Sequence, residues 1–147
     1  MRFQVGFFFL RSNCCSPRIC YGIIMPSSTD RRRLLSHKGK TIILHDYTNL
    51  SGEEYVKVVE NNAKISDRTL HGDRLILIDV TGSSINREVV ASFKRVSKSV
   101  SSRISKVAVV GSTKIQKIVI TTVAAFSNTN IKVFEKQEEA KDWLTTS

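Results

Sequence analysis

Two carboxylates and a set of hydroxyls stand just after apolar runs in this sequence, at Asp46-Tyr47-Thr48, Asp79-Val80-Thr81-Gly82-Ser83-Ser84 and Gly111-Ser112-Thr113-Lys114. Paired aspartates can divide general acid and general base work. A glycine-and-hydroxyl segment that opens a helix can present free N–H groups to an anion. Asp79 with Lys114 is also the start of a phosphoacceptor set, but the acidic residues that would complete it after the first strand are missing. Gly111 to Lys114 lacks the G-x-x-x-x-G-K-[ST] spacing of a phosphate-binding loop. The plainer reading of every one of these groups is that it caps its own loop or the next helix. The candidate binding residues are Asp46, Tyr47, Asp79, Thr81, Ser83, Ser84, Ser112, Thr113 and Lys114.

Other chemistry is thinly represented. His37, His45 and His71 are scattered and show no H-x-x-x-H or H-E-x-x-H spacing. Cys14, Cys15 and Cys20 are the only cysteines, so no cysteine nucleophile or internal disulfide is expected in the rest of the chain. No G-x-S-x-G is present. No metal, cofactor or catalytic residue is expected.

The elements that must position these residues follow from period and punctuation. Residues 33–36 and 41–46 read as two strands joined by His37-Lys38-Gly39-Lys40. Ser51 and Glu54 have capping-box spacing before a helix over about 52–65. Arg74 to Val80 is a continuous apolar strand, followed by a helix over about 86–100 with Val89, Phe93, Val96 and Val100 on one stripe. Val107 to Val110 is the next strand. The helix over 113–126 is apolar around much of its circumference and β-branched, so burial must hold it. Residues 131–134 and 137–144 give a last strand and helix, with Ala140, Trp143 and Leu144 turned inward. The order β-β-α-β-α-β-α-β-α predicts an α/β fold with a mainly parallel sheet of four to five strands. The polar tips after the parallel strands should gather at one rim.

Charge divides the chain. The net charge is +10, but residues 1–40 carry eight basic residues and one acidic residue, Asp30. The remainder, with 15 basic and 12 acidic residues, is nearly balanced, which argues against nucleic acid as the partner. Arg31-Arg32-Arg33 lacks interleaved aromatic residues and reads as a solvated lead-in to the first strand. Residues 1–30 read as a leader that is either disordered or an artefact of start-site choice, with Met25 as the natural start, and 31–147 as a single domain. No run is long and apolar enough to cross a membrane, and the cysteine-free body suits the cytoplasm.

The element order, with the pieces His45-to-Tyr55 (HDYTNLSGEEY), Leu75-to-Gly82 (LILIDVTG), Val107-to-Gly111 (VAVVG) and Ile131-to-Leu144 (IKVFEKQEEAKDWL), resembles the STAS superfamily, and within it the SpoIIAA-like branch also described as STAS/CRAL-TRIO. The resemblance covers roughly residues 40–145. It implies a non-enzymatic regulatory or interaction domain that binds a protein partner or small ligand through the loops at 46–50, 81–86 and 111–115 and the start of the 86–100 helix, with homodimerisation left open. The alternative it implies is a carrier of an apolar, lipid-like ligand, with the 113–126 helix lining a pocket. Regulatory members carry a phosphorylatable serine in Asp-Ser-Ser-Gly; here that position reads Ser83-Ser84-Ile85-Asn86-Arg87-Glu88, without the acid or the glycine.

Overall fold

The computed structural model describes residues 30–69 and 74–147. The expectations for Met25, for the three cysteines and for His71 lie outside the described residues. The elements run β1 (Arg32–His37), β2 (Lys40–Asp46), α1 (Gly52–Thr69), β3 (Arg74–Asp79), α2 (Arg87–Val100), a 3-10 turn (Ser101–Arg103), β4 (Ile104–Val110), α3 (Lys114–Ser127), β5 (Ile131–Phe134) and α4 (Gln137–Thr145). This is the α/β architecture expected: one five-stranded mixed sheet, mostly parallel, with four helices.

The hairpin is tighter than its sequence suggests. β1 and β2 pair antiparallel up to His37 and Lys40, so only Lys38 and Gly39 turn the chain. Both have positive φ, 48° and 76°, the pair of values whose twist matches that of the flanking strands. β2, β3, β4 and β5 then run parallel, side by side in chain order.

That order decides where the helices go. Each crossover advances by one strand in the same direction, and right-handed connections put all of them over one face. Thus α1, α2 and α3 form one layer, with α2 packed between the other two. Their core holds Tyr55, Val58, Val59 and Val89 against Ile76, Val80, Val107 and Val109 of the sheet. The opposite face is covered by α4, whose Ala140 and Leu144 pack on Ile42, Leu77, Ala108 and Val110. Alternation along each strand feeds both cores, as a sheet covered on both sides requires.

One expectation is corrected here. α3 is not buried around its circumference: Ile115, Ile118 and Phe126 are 75%, 70% and 58% exposed. It packs on α2 and β5, and these three side chains lie on the part of its surface that neither covers. Its ends are secured instead. Thr113 and Gln116 form a reciprocal capping box, and Asn128 ends the helix in the left-handed conformation at φ 51°.

Leu144 is fully buried at the centre of the α4 face, whereas Ile118 is open. Leu144→Ala is expected to cost about 2–5 kcal/mol of unfolding free energy, and Ile118→Ala within about 0.5 kcal/mol of none. Denaturant midpoints of the two variants check this; equal losses would place α3 in a core it does not occupy.

Candidate functional site

The parallel register sets Asp46 beside Asp79, and Asp79 beside Val110, so the three polar tips do meet at one rim. Each aspartate folds onto the threonine two residues ahead. Asp46 Oδ1 accepts from Thr48 N at 3.0 Å and Thr48 Oγ1 at 2.6 Å. Asp79 Oδ1 accepts from Thr81 N and Thr81 Oγ1 at the same two distances. The Asp-x-Thr unit is therefore a repeated local turn device. Burial pushes the Asp46 carboxyl up, but the two Thr48 hydrogen bonds, with Arg31 and Arg33, outweigh it and hold the group below the usual carboxylate range. Arg31 also donates to the Thr48 carbonyl at 2.9 Å, which fastens β1 to the rim.

Backbone pairing carries on beyond the strands. Tyr47 N donates to Asp79 O, Asn49 N to Thr81 O, Val80 N to Val110 O, and Ser84 N to Leu50 O. Ser83 is tied to the Val80 carbonyl through both its N–H and its hydroxyl. Gln116 reaches from α3 to the Ser83 carbonyl at 2.8 Å, and Asn86 caps α2 by accepting from Val89 N at 2.9 Å. Thr113 is spent on its capping box. Ser112 Oγ is buried without a hydrogen-bond partner among the described residues. Gly111, at φ 75°, brings β4 so close that a Cβ there would lie 2.8 Å from Thr81 N.

Most of the candidate polar groups are thus consumed by the rim's own construction. Thr81, Ser84, Thr113 and Lys114 are exposed, and Tyr47 is 2% exposed with its ring in the core. Tyr47 stacks edge-on with His45 and Phe93 and tilts against Tyr55, and its hydroxyl lies 3.1 Å from His45 Nδ1. Burial raises both tyrosines, Tyr55 to about 12. Burial, with Arg32 nearby, lowers His45 to about 4, so it is neutral in the folded chain at pH 7.

The strands run in chain order without a reversal, so the sheet has no switch point to open a crevice at its carboxyl ends. What lies under the rim is a cavity of about 110 Å³ between the sheet and the three-helix layer, walled by Val59, Ile76, Val96, Val107, Ile120 and Val123, with His45 and Arg74 reaching it. α3 lines it, as the carrier alternative expected. Its volume is well below the ~300 Å³ at which small-molecule sites begin. Among the described residues no three His, Cys, Asp or Glu gather as metal ligands, and no helix is long and apolar enough to cross a membrane.

Sequence reasoning missed the apolar part of the surface. Ile115, Ile118, Thr122 and Phe126 recur at helical spacing on one exposed stripe of α3. Lys94 of α2 sits 5.6 Å over the Phe126 ring, so the Phe126 end of the stripe adjoins α2. Apart from Glu88, neither helix contains an acidic residue, while Arg87, Lys94, Arg95, Lys98, Lys114 and Lys117 belong to them. The spacing of the isoleucines was visible; that they lack a neighbour follows only from the strand order.

The SpoIIAA-like family model matches residues 41–145. A solved structure similar in fold is an uncharacterized protein of the DUF3478 family with a SpoIIAA-like fold from Shewanella loihica PV-4, at 16% identity and a TM-score of 0.61, covering 77% of this chain and 91% of that one. No curated protein matches. Neither match supports the lipid-carrier alternative.

Two outcomes test the site's construction. A histidine held at about 4 in the fold but near 6.5 unfolded binds a proton more readily unfolded. Its contribution is therefore intact above pH 6.5 and lost as pH falls toward 4, by roughly 2 kcal/mol at pH 5. Unfolding measured from pH 7 to 5 should show this slope, and His45→Phe should flatten it. Gly111→Ala forces both a positive φ and a collision with Thr81, and should lower stability by about 3 kcal/mol; an unchanged melting temperature would mean the rim is looser than its hydrogen bonds indicate.

Proposed function

The chain belongs to the SpoIIAA-like family, and from that premise we propose that it is a non-enzymatic regulatory domain that docks a protein partner on the rim and the adjoining α2–α3 face. Domains of this family generally serve in regulation or interaction. The observation that carries the reading is the exposure of Ile115 and Ile118, 75% and 70%, beside a rim most of whose own polar groups are already bonded. Exposed apolar side chains framed by charge mark contact surfaces. Catalysis, by contrast, needs groups free to act on something else, and the paired aspartates hold their own threonines.

The partner is one that offers an apolar, acidic segment. The helices α2 and α3 carry Arg87, Lys94, Lys98, Lys114 and Lys117 with Glu88 as their one acidic residue, and Lys94 sits over the Phe126 ring of the apolar stripe. Such an arrangement speeds encounter with a negative surface and leaves the buried apolar contacts to provide affinity. Ser84 and Lys114 supply polar contacts at the edge of the patch; Asp46, Asp79, Thr81, Ser83 and Thr113 act as its scaffold, and Tyr47 supports it from the core. The unit that docks is residues 31–147, with the cysteine-free body suited to a reducing cytoplasm.

Capture of partners from extract by the wild-type chain, with quantitative identification, should yield a protein lost to Ile115→Asp/Ile118→Asp by at least tenfold. The same variant should keep the wild-type melting temperature, since both side chains are in water. Retention of that protein by the double variant sinks the reading. So does loss of capture accompanied by wild-type binding to anionic vesicles that the variant fails to bind, which would name a lipid surface as the occupant.

A further inference from the structure

The helices of the α1–α3 layer present short side chains to the sheet. Val59 and Ala63 of α1, Val96 of α2, and Val119 and Val123 of α3 all line the cavity of about 110 Å³ between that layer and the strands. The large apolar side chains Ile115, Ile118 and Phe126 of α3 are turned the other way, into solvent. Apolar volume that could fill the layer is thus carried on its outside. We propose that this cavity is a binding site for a small apolar molecule no larger than a single six-membered ring.

Size sets the upper limit. An apolar cavity of ~150 Å³ stays dry and takes benzene or xenon, whereas drug-sized ligands need the larger sites that begin at ~300 Å³. At about 110 Å³ the space lies just below the first of these values. Composition sets the class. Ile76, Val107 and Val109 form the sheet side, and although His45, Arg74, Ser97 and Thr129 border the cavity, almost none of its wall is polar surface. The nearest polar pair is also engaged, since His45 Nδ1 and the Tyr47 hydroxyl lie 3.1 Å apart. A ligand hydroxyl would have to compete for that bond or go without a partner.

The walls hold their shape and leave an entrance. Most of the apolar lining is valine or isoleucine. Such β-branched side chains are stiff at χ1, so they do not swing in to close the space. The binding shape is present before a ligand arrives, and little ordering is lost on binding. Ile78, Val96, Ile104, Ile120 and Ile131 belong to this core yet are only partly buried. Wall residues therefore meet solvent, and a small molecule has a way in without global unfolding.

The test is titration of the methyl-labelled full chain with benzene, with phenol alongside. Benzene should shift the methyl signals of Val96, Val107, Ile120 and Val123 with saturation and raise the melting temperature. It should bind about tenfold more tightly than phenol, whose hydroxyl leaves water without gaining a free partner. Val96→Leu/Val123→Leu fills the space and should weaken benzene at least tenfold in a chain that still unfolds cooperatively. Ile120→Ala enlarges the cavity from a partly open position and should take toluene at least tenfold more tightly than the wild type does; this arm decides the matter if the filled variant does not fold. Lack of saturable shifts up to the solubility of benzene, phenol binding equally well, unchanged benzene affinity in the folded leucine variant, or unchanged toluene affinity in Ile120→Ala would overturn the site. So would shifts led by Ile115 and Ile118, which would mean adsorption to the outside of α3. Partner capture enters none of these readouts, so the two readings fail separately.

Discussion

The one-way progression of the sheet, each new strand added parallel beside the last, governs the rest of the molecule. Three successive crossovers in one direction stack α1, α2 and α3 on one face. The other face would be left in water were it not for α4, which follows the last strand and lies back across the sheet with Ala140 and Leu144 fully buried. The same progression brings three strand ends to one rim and three strand starts to the opposite edge. It also leaves α3 with an unshared flank. The placement of the candidate surface follows from this arrangement.

At the rim, local geometry decides which groups stay available. A carboxylate at a strand end has two ways to be satisfied, by its own loop or by something outside. Here the residue two places on is threonine in both cases, and Asp46 and Asp79 each receive an N–H and an O–H from it. Four hydrogen bonds are thereby spent on holding two loops in shape. Rigid loops are what an interface needs, because little ordering entropy is lost on docking. Apolar groups cannot be satisfied this way, so Ile115 and Ile118 remain the unfulfilled part of the surface.

Much of this was legible beforehand. Strand and helix identities followed from apolar period, and the meeting of 46–48, 79–84 and 111–114 followed from parallel strands alone. Tyr47 could have been placed too: in a strand with Ile43 and His45 facing the helical layer, the next residue on that side is 47, while Asp46 falls on the other. The Thr113-x-x-Gln116 box was present as a motif. The strand β4 begins three residues before the apolar run at Val107, because a bulge at Ser105 lets Ile104 and Lys106 pair with β3 outside the even alternation. No hydropathy pattern announces such a bulge. The exposure of α3 was hidden for a different reason: composition says how apolar a helix is, and only topology says how many neighbours it has.

The two cores are not equivalent, and the difference bears on how the molecule responds to a partner. Under α4 a closed apolar cluster runs from Ile42 and Leu77 to Leu144. Under the three-helix layer there is a cavity of about 110 Å³, and polar groups are buried between α1 and α2. Asn62 and Ser92 are fully buried, and neither they nor the Tyr55 hydroxyl completes a hydrogen bond of normal geometry among the described residues. Each such group costs about 1–3 kcal/mol unless water meets it. Packing and polar satisfaction are therefore weakest between the sheet and α1–α3, and strongest between the sheet and α4. Local opening is therefore expected to cost least in the α1–α3 layer, while the α4 side keeps the sheet, and with it the rim, in register.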